Sequence, residues 1–148
     1  MIQSLIKLYD RDLQNLKNEI EAYNDENDLW LIRNEIQNSA GNLCLHLMGN
    51  LNHYIGHQLG NIDYVRNRSL EFSEKNVPKV QLIAKIEATG NMLKAILPTL
   101  SDKILAQKHT EEFYDGNDSN EYFLIHLFGH LNYHLGQINY HRRLINVK

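Results

Sequence analysis

The chain has 148 residues, 43 % of them hydrophobic and 22 % charged, which is enough for one domain with its own core. Its net charge of −3 argues against nucleic-acid binding, and no apolar run approaches the roughly 18–20 residues of a membrane span. A single cysteine cannot form an internal disulfide, so we expect one domain over residues 1–148 in the reducing cytoplasm.

Four segments repeat apolar residues at steps of three and four, which is the spacing of an amphipathic helix. They span about residues 2–23, 39–60, 78–100 and 119–145. Ser39 or its neighbour Asn38 is a suitable N-cap for the second helix, and Pro78 suits the start of the third. Pro98 should end or kink that third helix. No segment alternates with the period of two that a strand requires, so the sequence predicts an all-α four-helix bundle.

The three links between these helices are long, at residues 24–37, 61–77 and 101–117. Long links permit a crossover connection, so simple up-and-down connectivity does not follow from the sequence. The first link contains Trp30 among other apolar residues and is predicted to pack as a lid over one end of the bundle. Asp115–Asp118 is predicted to form a turn before the last helix.

Histidine is the unusual residue of this composition, because seven of the eight histidines fall in two short segments. His130 and His134 are four residues apart on the last helix and can present two ring nitrogens to one ion from consecutive turns. His46 on the second helix would complete a site of three imidazoles with an open position. Such a donor set favours Zn²⁺, Ni²⁺ or Fe²⁺ over Mg²⁺ or Ca²⁺.

Other polar residues share these helix faces. Asn50, His53 and Gln137 are predicted to hydrogen-bond to the ligands or to line the pocket. His53 and His57 lie about 10–16 Å further along the helix, too far for one ion to use them all. No carboxylate occupies a matching position on either stripe, which disfavours a hydrolase, and Cys44 points away from the metal as an apolar filler.

The remaining histidines have plainer interpretations. His109 stands beside two glutamates in a charged link and is predicted to be solvated, whereas His126 and His141 are predicted to line the pocket or to be exposed. A pair of histidines four apart is also compatible with ordinary solvated or hydrogen-bonded side chains.

Two blocks of the sequence carry a family resemblance. Residues 39–51, SAGNLCLHLMGNL, resemble the second-helix signature of the DinB-like superfamily, in particular its DUF1572-type branch. Residues 129–140, GHLNYHLGQINY, resemble its final-helix pattern HxxxHxGQI, although Leu135 stands where an arginine is frequent. The resemblance implies a four-helix bundle with a crossover between the second and third helices, a divalent metal held by His46, His130 and His134, and frequent dimerisation.

The same resemblance implies a function. Some members are similar to thiol S-transferases that use low-molecular-weight thiols such as bacillithiol or mycothiol, so we expect a metal-dependent enzyme acting on a small-molecule substrate. The alternative is a non-catalytic bundle whose histidine site is structural, sensory or vestigial. We also expect a homodimer, with tyrosines as the contact residues: Tyr9, Tyr23, Tyr133 and Tyr140.

Overall fold

A computed structural model of the protein describes residues 1–111 and 118–145, and over these ranges the chain is helical with no strand. The helices are α1 (Ile2–Glu21), α2 (Ala40–Leu51), α3 (Arg68–Ser73), α4 (Lys79–Ile96), α5 (Asp102–Ala106) and α6 (Asn120–Ile145). The all-helical prediction is confirmed for the described residues. The turn predicted at Asp115–Asp118 lies outside them except for its last residue.

The ends of α2 and α4 coincide with the capping and proline residues that the sequence indicated. The Ser39 hydroxyl accepts the backbone N–H of Asn42 at 3.2 Å, which caps α2 as predicted. Pro78 precedes α4, and α4 ends in a 3₁₀ turn, Leu97–Thr99, that contains Pro98. Pro78 therefore lies at the start of this helix and Pro98 at its end, as the sequence predicted.

The predicted second helix is not uniform along its length. Beyond Leu51 it continues as a π-helix over Asn52–Leu59, in which the Gly60 N–H bonds to the carbonyl of Ile55 at 2.9 Å. The links also contain two short α-helices, α3 and α5, and a 3₁₀ helix over Glu26–Trp30, none of which the apolar periodicity revealed. A helix of five or six residues is too short to display a repeat of 3.6 residues.

The long helices pack around a shared core. α1 packs against α4 and α6, and α2 packs against the same two helices, so the histidine faces of α2 and α6 meet. Residues 61–78, called the strap from here on, connect the π-helical segment to α4 and place α3 against α2. In the first link, Leu29 is buried and Trp30 packs against the core.

Several side chains are more buried than the sequence suggested. His109 was predicted to be solvated but is only 3 % exposed, because its ring stacks on Phe123 and its Nδ1–H donates to Asn120. Tyr9 and Tyr23, predicted as dimer contacts, are buried as well. Residues distant in sequence cover all three, so local polarity was a poor guide to their exposure. No helix in the described ranges is long and apolar enough to cross a membrane.

Candidate metal centre

Three histidines from two helices converge at the contact between α2 and α6. The Nε2 atom of His46 lies 3.0 Å from Nε2 of His130, which lies 3.1 Å from Nε2 of His134. All three candidate ligand atoms lie within 4.8 Å of one another. His46 is buried, whereas His130 and His134 are partly exposed, so the cluster is reached from the α6 side. The structure thus brings together the three residues that the sequence selected.

Hydrogen bonds on the far side of two rings orient them. The Nδ1–H of His134 donates to Oε1 of Gln137 at 2.6 Å, and the Nδ1–H of His46 donates to Oε1 of Glu71 at 3.0 Å. A neutral imidazole that carries its proton on Nδ1 has its lone pair on Nε2. Both rings therefore direct lone pairs towards the Nε2 atom of His130.

The surroundings of His130 and His134 favour the uncharged form of both rings. Burial, followed by the nearby imidazoles of His134 and His46, lowers the pKa of His130 to about 3. Burial also lowers the pKa of His134, although its hydrogen bond with Gln137 opposes that shift. Both rings are therefore neutral near pH 7, which is the form that binds a metal ion.

The donor set fits one divalent transition-metal ion. Metal–nitrogen bonds of about 2.0–2.1 Å place two nitrogens on the same ion roughly 3.0–3.4 Å apart, and the two short Nε2 separations agree with this range. A proton on His130 Nε2 could bridge to only one of its two neighbours, whereas an ion would satisfy all three lone pairs. Cys44 does not belong to the cluster, and burial raises the pKa of its thiol to about 12.

A buried carboxylate beside His46 is the feature that the sequence analysis missed. Glu71 comes from α3 in the strap and is 6 % exposed, and the guanidinium of Arg66 pairs with it. The stripes on α2 and α6 could not reveal it, because it lies 25 residues after His46 on another element. Only the strap's position decides that this glutamate faces the site.

The other predicted pocket residues lie at different distances from the cluster. Gln137 contacts His134 as described, and the buried Oδ1 of Asn50 has no hydrogen-bond partner among the described residues. The Nε2 atom of His53 instead lies 3.5 Å from Oε1 of Glu111, and His57 is exposed and donates to the Ile62 carbonyl. Neither of these two histidines joins the three-histidine cluster.

A cavity between the first link, α2 and α6 is lined by Gln137, the residue that hydrogen-bonds to His134, but not by the three histidines themselves. Its volume is about 450 Å³, and it is bounded by residues 35–38 of the first link and by side chains of α2 and α6, including Leu43, Gln137 and His141. His141 is buried, with Tyr23 donating to its Nδ1 at 2.7 Å and its Nε2–H donating to the Leu31 carbonyl at 2.8 Å. The first link therefore forms part of the wall of a space large enough for a small molecule.

No protein-family model matches the chain, and no curated protein matches its sequence. The functional assignment therefore rests on the geometry of the three histidines and on their surroundings.

Proposed function

We propose that His46, His130 and His134 bind one divalent transition-metal ion, namely Zn²⁺, Ni²⁺ or Fe²⁺. The observation that carries this proposal is the convergence of three Nε2 atoms. Two of the rings are oriented by hydrogen bonds, that of His134 by Gln137 and that of His46 by Glu71. Imidazole donors suit these metals better than Mg²⁺ or Ca²⁺, which prefer oxygen ligands.

We further propose that the protein is a metal-dependent enzyme, a transferase that uses a low-molecular-weight thiol. Three protein ligands leave a coordination position open, which is the pattern of catalytic rather than structural sites. The chemistry that a bound ion supplies is a lower pKa for a water or thiol ligand. The chain itself orients the ligands through Glu71 and Gln137, and the cavity beside Gln137 offers a place for the second substrate.

The fold is consistent with membership of the DinB-like superfamily, which we propose for this chain. Asn52 donates to Thr89 at 2.9 Å, and further along the same two elements Gly60 lies beside Ile96. Residue numbers increase together along the second and third long helices, so these two helices run parallel. Two parallel neighbours need a connection that runs back along their length. That relation supports a four-helix bundle in which the strap is the crossover.

We propose a homodimer formed through the outer face of α6. Five large apolar side chains of this helix are exposed, at Tyr122, Ile125, Tyr133, Tyr140 and Leu144. Such a stripe is unusual on a free surface and is typical of an interface. Light scattering at micromolar concentration should give a mass near twice the 17.3 kDa of one chain, and a mass of one chain would contradict the proposal. A separate proposal concerns location: we propose that the protein works in the reducing cytoplasm, because its one cysteine is buried and free.

The open position is tested with cobalt as a spectroscopic probe. Protein purified without an affinity tag should contain about one equivalent of metal per chain. After replacement by Co²⁺, addition of 2-mercaptoethanol should produce an intense near-ultraviolet sulfur-to-cobalt band, because a thiolate enters the open position. A spectrum unchanged by millimolar thiol would mean a closed site and would support the non-catalytic alternative.

A further inference from the structure

The strap is fixed to α2 by a buried asparagine. The Nδ2 group of Asn42 donates to two strap carbonyls, that of Glu71 at 3.0 Å and that of Glu74 at 2.8 Å. Lys75 and Ser39 in turn donate to Oδ1 of Asn42. All polar atoms of this amide are therefore used to hold the strap in one position on α2. The carboxylate of Glu71 is then delivered to a defined place beside His46.

Arg66, also in the strap, clamps this carboxylate with two hydrogen bonds. Its Nε donates to Oε2 of Glu71 and its Nη2 donates to Oε1, both at 2.9 Å. The two side chains are 11 % and 7 % exposed. Two hydrogen bonds from a guanidinium stabilise the charged form of a carboxylate and offset the cost of burying it. Glu71 is therefore an anion whose charge is balanced by Arg66.

The backbone of α2 is adapted to the approach of this carboxylate. Gly49 lies one turn after His46, and a Cβ atom at this position would overlap the carboxyl group of Glu71. Glycine is a poor helix former, so a glycine inside α2 lowers the stability of that helix. The close approach of Glu71 explains why glycine occupies this position, since any larger residue would displace the carboxylate from His46.

Stability alone does not explain a buried ion pair at this place. Removing two charges from water is costly, and an apolar pair of similar volume frequently packs as well or better. What Glu71 supplies and an apolar residue cannot is a hydrogen-bond acceptor at Nδ1 of His46. A carboxylate in this position fixes the tautomer of a metal-binding histidine and increases its basicity.

We propose that Glu71 is a positioning residue that holds His46 with its proton on Nδ1, and that Arg66 holds Glu71 in place. The inference rests on the proposed metal site for its effect on metal affinity. Because Arg66 balances the carboxylate, the acceptor is supplied without adding net negative charge near the three histidines. The open position of the site therefore stays suited to an anionic ligand such as a thiolate.

The test compares variants of the strap in two measurements. The double variant Arg66→Met/Glu71→Leu removes the acceptor without leaving an unpaired buried charge, and Glu71→Gln retains one acceptor oxygen. Glu74→Ala, which removes a charge from the same strap away from His46, is the matched control. The first measurement is the ¹⁵N NMR pattern of the histidine rings in metal-free protein at pH 8, which reports the tautomer. The second is Zn²⁺ affinity by competition with a chromophoric chelator.

We expect His46 to be the Nδ1–H tautomer in the wild type and in Glu74→Ala, and to lose this preference in the double variant. Zinc affinity should fall about 10–100-fold in the double variant, with Glu71→Gln in between. An unchanged tautomer, or an affinity within twofold of wild type, would overturn the proposal. A wild type that shows the Nδ1–H tautomer but binds no metal would contradict the proposed function and leave the positioning role standing.

Discussion

Zinc at 100 times its dissociation constant is expected to raise the melting temperature of the metal-depleted wild type by about 5–10 °C. Binding to the folded state alone at this concentration adds roughly 2.7 kcal/mol to the free energy of unfolding. For a domain of this size each kcal/mol corresponds to about 2–4 °C. The three candidate ligands belong to two helices that are far apart in sequence, so an ion bound to all three would cross-link α2 to α6. Differential scanning calorimetry with and without metal measures the shift.

Single substitutions identify the residues responsible for this thermal shift. His130→Ala removes the ring that contacts both of the others, and His46→Ala or His134→Ala removes one end of the cluster, so all three should abolish the shift. His57→Ala is the matched control, because that exposed histidine lies outside the cluster, where it hydrogen-bonds to the Ile62 carbonyl and stacks on His53. If the triple alanine variant bound one equivalent of zinc with wild-type affinity, the site would be elsewhere.

Gly49→Ala is expected to weaken zinc binding by about 10–100-fold, the loss typical when a histidine ligand loses its hydrogen-bond partner. The new methyl group would overlap the carboxyl group of Glu71. The end of a glutamate is normally free to move, but here Arg66 and His46 both hold it, so its displacement breaks a buried network. We expect a loss of about 1–3 kcal/mol in stability from overpacking, despite the higher helix propensity of alanine.

The matched control for this substitution is Gly90→Ala in α4. A Cβ atom there meets only Leu13, at an ordinary 3.8 Å, so the variant should be more stable than wild type by about 0.5–1 kcal/mol. Urea unfolding of the metal-free proteins measures both stabilities, and chelator competition measures zinc affinity. A Gly49→Ala variant with wild-type affinity would show that the close approach of Glu71 is unimportant for the site.

The features that could be predicted are those that depend on residues close together in the sequence. Helical periodicity located the four long helices. Ser39 marked the start of the second, and Pro78 and Pro98 marked the ends of the third, because capping and proline effects depend on a few neighbouring residues. His130 and His134 are neighbours on one helix face for the same reason. The short helices left no such periodic signal, and the periodicity over residues 39–60 did not distinguish the π-helical segment from an α-helix.

Local sequence spacing determines only part of the candidate metal site. His46 meets the histidine pair on α6 because of the way the two long helices pack. The sequence showed a polar stripe on each helix, but it did not determine the distance between the two stripes. Glu71 and Arg66 came from the strap and were not predicted at all, and His109 was predicted to be solvated but is buried under Phe123. The sequence by itself determined the helices and the candidate ligands, because both follow from contacts within a few turns. Only the tertiary structure decided which link residues reach those ligands, because a chain segment without periodicity takes its position from contacts made far along the sequence.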